Sequence, residues 1–353
     1  MIVEGAYTGL RVLDLGQGIA APYCGMLLAL HGADVIKIEP LGGDWSRGLG
    51  TAYGEHTAMS AHYNRGKKSL ALDLKASKAR DIAVELAHRA DIVIENNRPG
   101  VIDRLGLGYE ALARANPRLL YVSISGFGQE GPYAALPCTD SVAQAYSGMV
   151  ALNAGDDGSP HRIGTTIIDT LTGLYAAQSL GAALYARERR GIGRRITVSL
   201  VECGAAILGY KLAEHVLENG APRVLNVPTG AYRASDGGWV MIALIREEQF
   251  PRLAGALGHP ELAQDPRYAS FVTRAEHAAP LFATLRAVIA TETTQSCLRK
   301  LRDADISPTR STASTIGSAI RISPRPAPPW RSNRVTCRAS RCRARRVSRP
   351  RSI

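Results

Sequence analysis

The sequence has no run of 18 or more apolar residues, so nothing in it reads as a membrane-spanning helix. Its opening, MIVEGAYTGLRVLDLG, lacks the basic segment and apolar core of a secretory leader, which points to the cytoplasm. It also lacks any CxxC pair. Cys24, Cys138, Cys203 and Cys297 are scattered and Cys337 and Cys342 lie near the end, as isolated thiols of a reducing compartment would. The eight histidines show neither HxxxH spacing nor a pairing with cysteine. With no GxSxG elbow and no Walker loop either, metal catalysis and serine hydrolysis find no support. No internal repeat is apparent.

Acidic residues and lysine are missing altogether beyond Ile306, where Ser307–Ile353 carries twelve arginines. The other 31 basic residues balance the 31 acidic ones, so the net charge of +12 belongs to the tail and the body is neutral. A basic chain ordinarily suggests a nucleic acid or membrane partner, but here a neutral body makes neither expected. The tail is rich in Ser, Arg, Pro and Ala with no periodicity. One reading is a disordered basic arm. The preferred reading is a shifted frame: GC-rich codons for Pro308–Asn333, read one base earlier, can encode PHALDGLDDWLGDPHIAATGAAVAVEQ. That peptide has the acids, apolar periodicity and Asp-Pro turn of an ordinary globular segment.

What is present, over 353 residues at 45% hydrophobic content, is enough for two domains with real cores. The runs 11–15, 34–39, 91–96 and 119–125 are β-branched and nearly continuously apolar, as strands buried on both faces are. Residues 22–31, 77–89 and 101–115 between them have helical patterns, which gives a doubly wound βαβ arrangement with a parallel sheet. Helices are expected at 140–152, 166–189 and 201–218, and strands at 195–200 and 239–245. The fold class is therefore α/β: a Rossmann-like large domain (1–220) and a smaller α/β domain (221–306, incomplete), followed by the tail (307–353).

Three groups of residues can carry chemistry. Gly16-x-Gly18-x-x-Ala21 lies between a strand and a helix, with Glu39 at the end of the next strand. This outlines a dinucleotide fingerprint, in which backbone N–H groups approach a diphosphate. On the motif alone a nicotinamide cofactor and the diphosphate of coenzyme A both remain open. Asp169 is the only charged residue between Arg162 and Arg187. A buried carboxylate of this kind is either satisfied by the free N–H groups of a first helical turn or held for function. Lys75, Arg98 and Arg104 cluster near strand ends, where Arg gives bidentate and Lys point-charge contacts to phosphate.

The strings GLRVLDLGQGIAAPYCGMLLALHGADVIKIEP, NRGKKSLALDLK, DIVIENNRPGVIDRLGLGYEAL, NPRLLYVSISGFGQEGPYA, DSVAQAYSGM and GIGRRITVSLVE, in that order, resemble the class III CoA-transferases of the CaiB/BaiF type. This group includes formyl-CoA transferase and carnitine-type CoA-transferases, with methylacyl-CoA racemases as relatives. The resemblance runs from about residue 8 to 306. It implies a Rossmann-like large domain, a smaller domain and an intertwined homodimer. No tightly bound cofactor is implied; coenzyme A thioesters and a carboxylic acid are the substrates. The family's nucleophilic aspartate falls on Asp169 and its CoA-binding loop on Gly18, Ile19 and Ala20. Further coenzyme contacts fall on Leu72, Asp73, Leu74 and Lys75, on Asn96, Asn97 and Arg98, and on Arg104. The implied activity is CoA transfer from an acyl-CoA donor to an acid through an aspartyl anhydride and an aspartyl-CoA thioester. A 2-methylacyl-CoA racemase is the alternative, disfavoured because Thr139 stands before Asp140 where racemases carry a histidine base. An inactive truncated member is the other.

Overall fold

The computed structural model describes residues 3, 5–155, 158–220, 226–306, 309–311 and 335–336. Apart from its last five described residues, the tail at 307–353 lies outside the described residues, as do the two readings of it. The chain divides into two compact units, one running to Leu212 and the other beginning at Ala213.

In chain order the first unit contains β1 (Arg11–Asp14), α1 (Ala20–Leu30), β2 (Asp34–Glu39) and a short hairpin of β3 (Ala52–Tyr53) and β4 (His56–Thr57). There follow α2 (Ala58–Tyr63), β5 (Lys68–Ala71), α3 (Ser77–His88), β6 (Ile92–Glu95), α4 (Val101–Arg104), α5 (Tyr109–Ala115) and β7 (Leu120–Ser125). Next come α6 (Asp140–Tyr146), α7 (Met149–Leu152), α8 (Ile167–Arg190), β8 (Arg194–Ser199), α9 (Leu200–Ile207) and α10 (Gly209–Leu217), the last crossing into the second unit.

Six strands pair in parallel in the order β5-β2-β1-β6-β7-β8, and β12 (Val335–Thr336) lies beside β5. Central β1 sets the register, with Leu13 opposite Ile36 on one side and Val93 on the other. Both faces are buried. Val12, Val35, Ile94 and Val122 pack with Ala21, Leu28, Ala176 and Leu180 of α1 and α8. On the opposite face Leu13, Val93 and Tyr121 pack with Ala83 and Ala87 of α3 and Leu112 of α5. Each large aliphatic side chain so covered contributes about 1.5–3 kcal/mol, which explains why these strands read as apolar runs rather than alternations.

The expected strands are all present, five of them within a residue or so; the one expected at 239–245 ends three residues early, at Ile242. Three long helices are instead broken in two. Residues 101–115 divide into α4 and α5 across Gly106 and Gly108, 140–152 into α6 and α7 at a left-handed Gly148, and 201–218 into α9 and α10 at Leu208. Apolar spacing continues across each break, so periodicity alone does not show it. Strand β5 was not expected, because KSLA is short and follows two basic residues.

The second unit holds an antiparallel sheet in the order β11-β10-β9, made of β9 (Gly230–Arg233), β10 (Trp239–Ile242) and β11 (Thr309–Ser311). With it are α11 (Gln249–Ala256), α12 (Phe271–Glu276), α13 (Ala278–Ile289) and α14 (Thr294–Asp303). Val240, Ile242, Phe250, Leu253, Leu281, Leu285 and Leu301 form its core. Buried Arg274 is satisfied by the carbonyls of Val227 and Tyr268 and the Glu247 carboxylate, with its guanidinium 4.5 Å from the ring centres of Phe250 and Phe271.

Candidate active site

A cavity of about 400 Å³ opens at the carboxyl ends of β1, β6, β7 and β8 in the first unit. The strand order runs outward in opposite directions from β1 and β6, so this is the switch point at which open parallel sheets leave a crevice. Ile19 and Ala20 follow β1, Asn96–Pro99 follow β6, Ser125 and Gly126 end β7, and Leu200 follows β8. Asp169 faces them from the first turn of α8, beside Cys138 and Thr139.

The start of α8 decides what Asp169 can do. A carboxylate at this position commonly caps the unpaired N–H groups of its own helix. Here buried Asp140, at the first residue of α6, does so: its Oδ2 accepts from the Ile168 N–H at 2.8 Å and the Asp169 N–H at 3.1 Å. Its Oδ1 accepts from Gln144 Nε2 at 2.5 Å, and Gln144 Oε1 accepts from the Ile163 N–H. The Tyr63 hydroxyl joins Thr166 and Thr170 on either side of that turn, at 3.3 and 3.1 Å. Asp169 is thereby held by its backbone, and among the described residues no hydrogen bond reaches its carboxylate. Burial, and secondarily the Asp140 charge, push this carboxyl up to about 7. Burial and the same two carboxylates push the Cys138 thiol to about 11, so it stays protonated and is a poor nucleophile.

Helix α8 comes this close to α1 because Gly173 has no side chain. A Cβ there would lie 2.5 Å from the Ala20 carbonyl oxygen and 2.9 Å from the Tyr23 Cβ. One helical turn before Gly173 stands Asp169, beside the first turn of α1. The N–H groups of Ile19 and Ala20 begin that helix, and among the described residues no acceptor takes them up.

The glycine turn preceding α1 differs from an open phosphate cradle. The Gly16 N–H donates to Asp14 at 2.9 Å, the Gln17 N–H to Asn96 Oδ1 at 2.9 Å, and the Gly18 N–H to both Asp44 oxygens at 3.0 Å. The N–H groups of Gly16, Gln17 and Gly18 are thus used within the protein, leaving those of Ile19 and Ala20 at the start of α1. Glu39, the fingerprint's ribose-binding acid, is equally committed. Arg47 grips it through two contacts of 2.7 Å, Ser69 donates to it, and it accepts the Asp44 N–H. Burial alone would raise the Glu39 carboxyl, but these donors hold it down to about 2. The turn and its acid, which a nicotinamide dinucleotide would need for its diphosphate and ribose, are therefore committed within the protein.

Beneath the turn lies a buried ionic network. Lys37 pairs with Asp44 at 2.9 Å and donates to the Gly16 carbonyl; Lys67 pairs with Asp14 at 2.7 Å and donates to the Pro22 carbonyl. All four side chains are nearly inaccessible. Burial pulls the Lys67 ammonium down to about 8 against the pull of Asp14. Burial would raise Asp14, but Lys67 and Lys37 hold it below the usual carboxylate range. None of these four residues was singled out from the sequence. The signal was available: Asp14 and Lys37 interrupt strands that are otherwise apolar and covered on both faces, where a charge must be paired.

Of the residues expected at the site, the cavity brings together Ile19, Ala20, Asn96, Asn97, Arg98 and Asp169. Gly18 sits behind its wall. Leu72 is buried in the sheet core, while Asp73 and Lys75 are exposed and Leu74 half-buried, in the turn after β5. The Asp73 carboxylate accepts the Lys75 N–H. Arg104 is exposed at the end of α4. These last residues do not line the cavity. Glu95, whose carboxyl is pushed up by burial, accepts the Asn97 N–H at 2.8 Å and fixes that loop. Among the described residues no group of three or more His, Cys, Asp or Glu could hold a metal ion, and no helix is long and apolar enough to cross a membrane.

A doubly wound sheet with a buried carboxylate lining the crevice at its switch point is the arrangement of an α/β enzyme working at its strand ends. The chain matches the model of CoA-transferase family III over residues 7–316. It is 39% identical over 279 residues to the succinyl-CoA–D-citramalate CoA-transferase of Chloroflexus aurantiacus, covering 77% of this chain and 69% of that one. Over 273 residues it is 40% identical to the acetyl-CoA:oxalate CoA-transferase of Acetobacter aceti, covering 75% and 70%. A CaiB/BaiF family protein from Brucella suis superimposes with a TM-score of 0.76 at 33% identity, over 89% of this chain and 85% of that one. This chain belongs to CoA-transferase family III, the CaiB/BaiF family. It is a transferase of coenzyme A, with CoA thioesters as its substrates.

Proposed function

We propose that the chain moves coenzyme A from a short-chain acyl-CoA to a small carboxylic acid through covalent intermediates on Asp169. The observation carrying this reading is the Asp169 carboxylate, free of hydrogen bonds among the described residues and facing the cavity while Asp140 caps its helix. Raised to about 7, it is more basic than an ordinary carboxylate and still largely ionised at pH 8. Relatives named for succinyl-CoA with D-citramalate and for acetyl-CoA with oxalate support small acids on both sides of the exchange.

An Asp169 oxygen attacks the thioester carbonyl; the C–S bond breaks, leaving a mixed anhydride and CoA thiolate. The thiolate attacks the aspartyl carbonyl, releasing the donor acid and forming an aspartyl-CoA thioester. The acceptor carboxylate attacks that thioester, again giving an anhydride and a thiolate. Attack of the thiolate on the acceptor's carbonyl then yields the new acyl-CoA and regenerates Asp169. No proton is gained or lost overall, and no redox step occurs. The free N–H groups of Ile19 and Ala20, at the positive end of α1, suit the oxyanions of these steps.

Coenzyme contacts are assigned to Gly18, Ile19, Ala20, Leu72, Asp73, Leu74, Lys75, Asn96, Asn97, Arg98 and Arg104. The exposed cations Lys75, Arg98 and Arg104 suit the phosphates. The domains are assigned as 1–220 and 221–306. An intertwined homodimer in the cytoplasm completes the reading. It is supported by apolar side chains left in solvent: Tyr175 and Tyr185 on α8, and Val216 and Leu217, 75% and 80% exposed, on α10. We read the tail from Ser307 as out of frame, which resequencing the coding DNA tests directly. Asp169→Ala is expected to abolish transfer and retain CoA binding, measured by acyl-CoA exchange and by calorimetry. Retained turnover in that variant contradicts the nucleophile.

A further inference from the structure

Trp45 plays no part in the chemistry above, yet it lines the cavity while 53% exposed. Tryptophan is the largest apolar side chain, and so open an indole at a reaction cavity has little to gain from the fold itself. Its position is nevertheless tightly determined. The residues on either side, Asp44 and Ser46, are buried. Asp44 is fixed by Lys37 and the Gly18 N–H, and its own side chain accepts the Ser46 N–H at 2.8 Å.

The Cζ2 edge of the indole lies against Gly18. A Cβ at Gly18 would fall 2.1 Å from Cζ2 and 2.8 Å from Cε2 of that ring, and φ there is +79°, so only glycine suits the position. Two residues further on, Ala20 touches Gly173 in the helix that bears Asp169. Trp45 and Asp169 thus line one cavity, joined through Gly18, Ala20 and Gly173. Of the exposed cations suited to phosphate, only Arg98, after β6, lines this cavity; Lys75 and Arg104 do not. Leu136, Pro137 and Leu200 add neutral, apolar wall. The cavity, about 400 Å³, falls in the range of small-molecule pockets.

We infer that Trp45 sets the size limit on the acyl group, acting as a wall held in place by Gly18 and the Lys37–Asp44 pair. This specificity role rests on the proposed transfer at Asp169, which orients the thioester in the cavity. The test compares kcat/KM for acyl-CoAs from acetyl to octanoyl in the wild type, Trp45→Phe and Trp45→Ala. Removing the wall is expected to raise the octanoyl-to-acetyl ratio by about tenfold or more in Trp45→Ala, with Trp45→Phe close to wild type and affinity for free CoA unchanged. An unchanged ratio overturns the inference. So does a loss of free-CoA affinity together with an equal fall in kcat/KM for every donor, since the ring would then contact the coenzyme.

A second readout needs no turnover. The chain has three tryptophans, Trp45, Trp239 and Trp330, so emission lost in Trp45→Phe isolates the ring in question. Acyl-CoAs should change that emission beyond the effect of free CoA, and increasingly with acyl length. Equal responses to CoA and acyl-CoA overturn the inference. If the response depends on the acyl group while no donor is turned over, the transfer reading fails and the role of Trp45 stands.

Discussion

At the scale of single residues, two carboxylates divide the labour at the start of α8. Asp140 receives three hydrogen bonds, from Gln144 and the N–H groups of Ile168 and Asp169. Asp169 receives none among the described residues and titrates near 7 because of burial and of Asp140's charge. The free enzyme's kcat/KM should therefore rise with pH through about 7. Asp140→Asn keeps an acceptor oxygen but removes the charge, so that limb should move to lower pH. A pH–rate profile decides it, and an unmoved limb rules out coupling between the pair. Stability gives an independent check. Asp169 is pushed up to about 7 in the folded chain, against about 4 for an exposed aspartate, so the folded state keeps the extra proton between these values. Its contribution to stability is fully present below about 4 and lost as pH rises through about 7. At pH 8, Asp169→Asn should be more stable than the wild type by about 1–3 kcal/mol. Urea unfolding measures this; a less stable variant means the carboxylate is satisfied after all.

At the scale of elements, the chemistry depends on how β1, α1, β2 and α8 meet. The Asp14–Lys67 and Lys37–Asp44 pairs fasten the Gly16–Gly18 turn, and the close approach at Gly173 brings α8 to the start of α1. Asp44→Ala leaves the Lys37 ammonium buried without its partner and frees the Gly18 N–H. It should cost about 3–5 kcal/mol, measured by denaturant unfolding; a loss within error would mean the pair is structurally idle. Elements were the most legible part of the sequence, because a strand covered on both faces must be a continuous apolar run. DVIKIE is an example, read with the correct ends. Charges inside such runs were less legible: the same string hides Lys37, whose partner Asp44 comes from a turn that no pattern marks. Breaks such as Gly148 were missed because apolar spacing runs through them. Asp169 stood out as the lone charge in an apolar helix, but that Asp140 rather than Asp169 caps the helix is a tertiary fact. The contact of Trp45 with Gly18 is another, and neither has a sequence period.

At the scale of the molecule, a neutral body carries the site and the charge lies in the tail. The six-stranded sheet and its switch point follow from the order of runs, which is why the fold class could be read before any geometry. Assembly was not legible in that way, since the exposed apolar residues of α8 and α10 show as an unpartnered surface only once the rest is folded. Light scattering should give twice the monomer mass, and Val216→Glu with Leu217→Glu should reduce it; a monomer in both removes the dimer from the account. The most direct test of the central claim is intact mass after incubation with a panel of short acyl-CoAs, on this chain and its Asp169→Ala variant. A CoA- or acyl-sized adduct on the wild type, absent from the variant, is the expected result. An adduct that persists in Asp169→Ala, or donor turnover with no adduct under single-turnover conditions, would contradict covalent transfer through Asp169.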